Sequence, residues 1–193
     1  VSAATNTVCS GEILQTQSRK NFEITREQYF KMLQMKTGEL FALSCDLGAY
    51  LSGAGLSVRG SLRQFGLAIG TAYQIFDDCL DLFGSEASAG KSLGTDLATG
   101  KVTLPILLLL EQAETTERLR ILGLLQHWNS SALEELREAL LSHDALSASR
   151  KIIHHHLRSA GQALSGLADS ASRTGLLALT EYLGQQTDLL CHL

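Results

Sequence analysis

Three carboxylates, Asp77, Asp78 and Asp81, stand within five positions of one another, and no Lys, Arg or His occurs from Gln64 through Gly90. Asp77 and Asp81 are i,i+4 neighbours on one helix face, and Asp78 lies about 100° round. Like charges at that spacing cost a helix a few tenths of a kcal/mol. With no basic neighbour in sequence, they need a cation from elsewhere. Hard carboxylate oxygens suit Mg²⁺, especially where phosphate oxygens complete its shell; the bland alternative is a solvated acidic turn near a helix end. A second acid group, Glu134, Glu135 and Glu138, has similar spacing, but Arg137 sits inside it and the segment reads as an ordinary solvated helix face.

Cations of the right kind lie elsewhere in the chain. Tyr29, Leu33, Lys36, Leu40, Leu43 and Leu47 follow a four-three-four-three-four pattern in which only Lys36 is charged. A lysine on a packed stripe either snorkels to water or faces an anionic ligand, and its mid-helix position favours the second. Lys91 and Lys101 lie in or at the end of a glycine-rich segment, Gly84–Lys101, with Thr95 and Asp96 between them. Such loops and lysine ammoniums bind phosphate oxygens. The segment is not a P-loop: five residues separate Gly84 from Gly90 where that motif has four, and a helix precedes it. His154, His155 and His156 are consecutive and fan round a helix, so they do not converge on one metal. Trp128 reads as a packing anchor.

These groups must be positioned by helices. The hydrophobic period is helical nearly throughout, with elements expected near 4–17, 25–52, 58–84, 102–113, 115–127, 131–143, 145–169 and 171–191. One proline in 193 residues disfavours an all-β fold. Thr25 with Gln28 makes a capping box. Leu62, Ile69, Tyr73, Phe76, Leu80 and Phe83 form an expected packed stripe, with Gly70, Gln74, Asp77, Asp81 and Gly84 beside it. Hydrophobic residues at 45% exclude a disordered chain, and a net charge of −4 argues against non-specific nucleic-acid binding. The longest apolar run, Leu104–Leu110, is too short to cross a bilayer, so no transmembrane segment is expected. The chain opens at Val1 with neither a basic n-region nor a cleavage site, so no signal peptide is expected. Four scattered cysteines read as buried free thiols of a reducing, cytoplasmic protein.

The run Ala72-Tyr73-Gln74-Ile75-Phe76-Asp77-Asp78-Cys79-Leu80-Asp81 resembles the second aspartate-rich motif, DDxxD, of the trans-isoprenyl diphosphate synthases (polyprenyl synthetases). Gly90-Lys91-Ser92-Leu93-Gly94-Thr95-Asp96-Leu97 and Gly100-Lys101-Val102-Thr103-Leu104-Pro105 are similar to the segment that follows it; Tyr29 with Lys36-Thr37 and Gly11-Glu12 with Gln15 resemble earlier sites. The resemblance implies a single all-α domain over residues 1–193, a helical bundle around a central cavity of the isoprenoid synthase type. It implies ionisation of an allylic diphosphate, attack by isopentenyl diphosphate and loss of a proton, giving a longer trans-polyprenyl diphosphate. Asp77, Asp78 and Asp81 would form the magnesium site. Lys36, Lys91 and Lys101 would clamp diphosphate, Thr37 and Gln74 would line the reacting end, and Asp96 would support them. A homodimer is implied as well. The family has a first DDxxD earlier in its chain, and Asp77–Asp81 is the only one here. The sequence therefore reads as the C-terminal part of a synthase, with the N-terminal half of the fold not present. The competing readings are a non-catalytic or regulatory subunit of a heteromeric synthase and a class I terpene cyclase; the lysines and DDxxD argue against the first, the GK–GTD–GK–TLP segment against the second.

Overall fold

The computed structural model describes residues 1–84 and 92–190. Within them every element is helical, as the period predicts. Helix α1 spans Ser2–Gln17 and α2 spans Arg26–Leu33; a π-helical turn, Gln34–Gly38, joins α2 directly to α3, Glu39–Leu51. Helix α4, Leu56–Phe83, is followed by the four-residue α5, Thr95–Ala98, and by α6, Leu104–Gln112. Helices α7 (Thr115–Gln126), α8 (Leu133–Ser142), α9 (Ala145–Ala163) and α10 (Ala171–Leu189) complete the order.

Local chemistry explains the boundaries. At the start of α2 the Gln28 N–H donates to the Thr25 hydroxyl oxygen (3.2 Å), and the Thr25 N–H donates to Gln28 Oε1 (2.8 Å), closing the expected capping box. Pro105 sits in the first turn of α6, where no N–H is needed. The helix expected to run to 169 stops at Ala163, and the expected 84–101 loop contains α5.

The 28-residue α4 is the spine, about 42 Å long at 1.5 Å per residue. It packs against α3 on one side and α9 on another, with α6 and α8 closing its C-terminal half. Close approach of α3 requires Gly66: a Cβ there would lie 2.4 Å from the Phe41 carbonyl oxygen. The fully buried face of α4 is Phe65, Ala72, Ile75, Cys79 and Leu82, against the all-apolar Leu104–Leu110 run and α9.

Two expected stripes are corrected. Tyr73, assigned to the packed face of α4, is 47% exposed, and Phe76 and Leu80 are only half-buried, because the core contacts α4 one residue round from the stripe that the period suggested. On the α2–α3 element, Tyr29 and Leu33 are buried, but Leu40 and Leu47 are exposed while Gly38, Ala42 and Ala49 are buried. The π turn holds an extra residue per turn, so the inward phase slips beyond it. Cys9 is exposed, against the expectation of buried thiols; Cys79 is buried, and burial, with Asp78 beside it, raises its thiol pKa strongly.

Candidate active site

The π turn presents Lys36 and Thr37 toward α1 and α4. Gly11 of α1 makes this possible: a Cβ there would lie 2.7 Å from the Lys36 backbone nitrogen. Lys36 Nζ donates to Gln15 Oε1 at 2.6 Å and pairs with Glu12 Oε2 at 2.7 Å. The inward lysine of the sequence reading is thus a half-exposed cation at a cleft edge, held by two residues of α1. Thr37 donates its hydroxyl to Gln74 Oε1 at 2.9 Å, linking the π turn to α4.

The three aspartates have different surroundings. Asp78 is completely buried. Its Oδ1 accepts from Lys101 Nζ (2.7 Å) and Gln74 Nε2 (3.0 Å), and its Oδ2 accepts from the Tyr29 hydroxyl (2.8 Å). Asp81 is also buried, and both of its oxygens serve α5: Oδ1 accepts from the Thr95 N–H (3.2 Å) and hydroxyl (2.8 Å), Oδ2 from the Asp96 N–H (3.0 Å). A carboxylate at a helix start satisfies donors that have no partner in the helix and suits the dipole. Asp77 is half-buried, with the Gln74 amide 3.5 Å from its Oδ2.

Lys101 is the cation that the isolated acids require. Its ammonium bridges Asp78 and Asp96 Oδ2 (2.9 Å), with the side chain 13% exposed. Burial alone lowers a lysine pKa, but the charges of Asp78 and Asp96 outweigh it and hold Lys101 well above the ordinary lysine value. Asp96 is raised, first by burial and then by Asp78, with Lys101 opposing. The Tyr29 hydroxyl is raised by burial and by the charge of Asp78, so it remains a donor.

Gln15, Tyr29, Lys36, Thr37, Gln74 and Lys101 all line one cleft between α1, α2 and α4, of about 20 Å³, room for one water. Of Lys36, Gln74, Asp77, Asp81, Lys91 and Lys101, expected to converge on one cavity mouth, Lys36, Gln74 and Lys101 line this cleft, joined by Thr37 and Asp78. Asp77 lies beside the cleft and Asp81 is turned to α5. Lys91 lies outside the described residues. On the next face of α4, Ile69, Tyr73 and Phe76 form an apolar groove of about 380 Å³ with Phe41, Tyr182 and Leu183.

Among the described residues no three His, Cys, Asp or Glu side chains are grouped to hold a metal ion. The donors fit a hard cation in a narrower way. Magnesium is commonly held by one or two carboxylates with substrate phosphates and water, and Asp77 is the one of the three that is not fully buried.

Two positioning residues escaped the sequence reading. Tyr29 appeared only as a stripe position and beside the Lys36-Thr37 motif; its contact with Asp78 spans 49 positions. Arg137, counted among the partners of its own acid group, donates to the Leu82 carbonyl and at 3.2 Å to that of Gly84, closing the C-terminus of α4. It also pairs with Glu134 at 2.6 Å, and Glu135 pairs with Arg120, so that acid group is an ion-paired surface. His154 meets Asp188 at 3.0 Å, and the His156 ring lies against Phe30 and His155, with centroids 5.8 and 5.7 Å away.

The sequence pattern of the polyprenyl synthetase family matches residues 1–141. The heptaprenyl diphosphate synthase component 2 of Bacillus subtilis (strain 168) is 35% identical over 179 residues, covering 93% of this chain and 51% of that protein. The octaprenyl diphosphate synthase of Escherichia coli (strain K12) is 29% identical over 187 residues, 96% of this chain and 58% of its own length. The crystal structure of a decaprenyl diphosphate synthase from Rhodobacter capsulatus superposes with a TM-score of 0.89 at 28% identity, over 96% of this chain and 58% of that one. The chain thus spans little more than half the length of the relatives it matches. With residues 1–141 matched by the family pattern and the fold superposing on a solved relative, this chain belongs to the polyprenyl synthetase family.

Proposed function

We propose that this chain forms one all-α unit of a magnesium-dependent prenyltransferase that condenses an allylic diphosphate with isopentenyl diphosphate into a longer trans-polyprenyl diphosphate. The observation that carries the reading is that Lys36, Thr37, Gln74 and Lys101, drawn from 65 positions of sequence, line one cleft beside the aspartates. The C–O bond to the diphosphate breaks, the allylic carbon bonds to isopentenyl diphosphate, and a proton leaves. Charge develops on the departing diphosphate, so fixed cations aimed at it lower the barrier. Lys36 supplies one: its pair with Glu12 is half-exposed and contributes at most about 1 kcal/mol, so a diphosphate oxygen can displace the glutamate. Lys101 contributes positive potential from behind Asp78. Lys91 belongs to the same clamp by resemblance.

Asp77 would hold Mg²⁺ together with substrate oxygens, where the ion neutralises the leaving group. Asp78 and Asp81 would support that site through Lys101, Gln74 and α5. The homodimer, which rests on the resemblance, and the cytoplasmic location, which rests on the scattered cysteines, belong to this proposal. Among the described residues no helix is long and apolar enough to cross a membrane.

A non-catalytic subunit is the second reading, favoured by the small size of the cleft. Turnover of labelled isopentenyl diphosphate into extractable lipid, measured on the assembled synthase with and without magnesium, separates the two. Asp77→Asn in a catalytic subunit lowers turnover by about a hundredfold or more. Unchanged turnover assigns this chain the non-catalytic role.

A further inference from the structure

The buried hydroxyl of Tyr29 has no task in the chemistry just described, yet it occupies one face of the most deeply buried acid in the site. Tyr29 is 3% exposed, its ring packs edge-on to Phe30 with centroids 5.3 Å apart, and its hydroxyl donates to Asp78 Oδ2 at 2.8 Å. From Asp78 the contacts continue without a gap. Oδ1 takes the Lys101 ammonium and the Gln74 amide; Gln74 Oε1 takes the Thr37 hydroxyl.

We propose that Tyr29 is a positioning residue: by holding Asp78 Oδ2 it aims Oδ1 at both Lys101 and Gln74, and so orients the Lys101 ammonium and the Thr37 hydroxyl at the cleft. A carboxylate is an acceptor only, so Gln74 must turn its NH₂ toward Asp77 and Asp78 and its carbonyl toward Thr37. The amide direction is thus dictated from the acid side, and the hydroxyl of Thr37 is spent on Gln74, leaving its lone pairs for other donors. Without the Tyr29 hydroxyl, the buried Asp78 Oδ2 loses the donor that the described residues give it, and the carboxylate gains by turning toward Gln74 or Lys101. The burial and charge that keep the phenol protonated agree with a donor role. The effect on ligand binding rests on the diphosphate reading above; the internal geometry does not.

The test uses the full chain. Side-chain NMR of ¹⁵N-labelled protein without ligand follows the Lys101 ammonium and the Gln74 carboxamide, and calorimetry follows binding of magnesium with inorganic diphosphate. In Tyr29→Phe, which keeps the ring, both resonances move while the helical circular dichroism is unchanged. Affinity for magnesium diphosphate falls about tenfold, the lower end for loss of a group behind a ligand. In an Asp78→Asn background the same replacement has no further effect on affinity. Should Tyr29→Phe not fold, 3-fluorotyrosine at the four tyrosines retains every hydroxyl; the Tyr29 fluorine signal then moves on Lys101→Arg and stays in place on Glu12→Gln. Unmoved Lys101 and Gln74 resonances in folded Tyr29→Phe, or an unmoved Tyr29 fluorine signal on Lys101→Arg, overturn the proposal. Resonances that move as expected in a wild-type chain that does not bind magnesium diphosphate support the positioning role and overturn the diphosphate reading instead.

Discussion

Replacing Lys101 with methionine removes the cation that, among the described residues, bridges Asp78 and Asp96. Methionine fills a similar volume, so the change isolates charge from packing. The site then holds a completely buried carboxylate and a largely buried one with no cation between them. Breaking a buried pair by deleting one partner costs about 3–5 kcal/mol, because the remaining charge is uncompensated. With a urea slope of about 2–3 kcal/mol/M for a chain of this size, the unfolding midpoint should fall by roughly 1–2.5 M. Trp128, the single tryptophan, reports locally beside Gly94, and circular dichroism reports the helices. The effect has a pH signature. Asp96 already has a pKa raised above 3.8 by burial and by Asp78, against the opposition of Lys101. Removing Lys101 raises it further, so the folded variant holds a proton that the unfolded chain releases. Stability of the variant therefore falls as pH rises above 3.8 toward the raised folded value, and its deficit narrows toward acid. Asp96→Asn in the same background should return part of the loss at pH 7. An unfolding free energy within about 1 kcal/mol of wild type at pH 7, or no gain from Asp96→Asn, refutes the assignment of Lys101 as the internal counter-ion.

Other expectations follow from single contacts. Asp81→Ala removes the acceptor for the Thr95 and Asp96 amides, and those amides should exchange hydrogen faster while the middle of α4 stays protected. Gly66→Ala forces a Cβ against the Phe41 carbonyl and should cost about 1–3 kcal/mol or more, whereas Gly48→Ala, with nothing within 4 Å, should stabilise α3 by roughly 0.5–1 kcal/mol in urea titrations. The His156 pKa is lowered from 6.5, first by burial and then by His155, so its folded state prefers the neutral ring; stability from it is complete above about 6.5 and is lost as pH falls through the folded value. Melting temperatures of His156→Gln should show a flatter decline over that window. Glu135→Ala, in an exposed ion pair with Arg120, should change stability by less than about 1 kcal/mol.

Much of the architecture was legible because it is local. Amphipathic period, the Thr25–Gln28 capping box, Pro105 at a helix start and a nearly proline-free chain are properties of neighbouring residues, and the corresponding helices form where they indicate. The acidic group at Asp77, Asp78 and Asp81 was visible for the same reason: too many like charges and no local cation. Its resolution was not local. Lys101 lies 23 positions from Asp78, Tyr29 lies 49 positions away, and whether they meet depends on how α2 and the α5–α6 segment pack on α4. The period also could not reveal the π turn at Gln34–Gly38, since one extra residue leaves the composition of the stripe unchanged while rotating everything after it; Leu40 and Leu47 are exposed on that account. Nor could three similar carboxylates be told apart in one dimension. Side-chain chemistry is the same at all three, and only the tertiary contacts give Asp78 to Lys101 and Tyr29, Asp81 to the start of α5, and leave Asp77 beside the cleft.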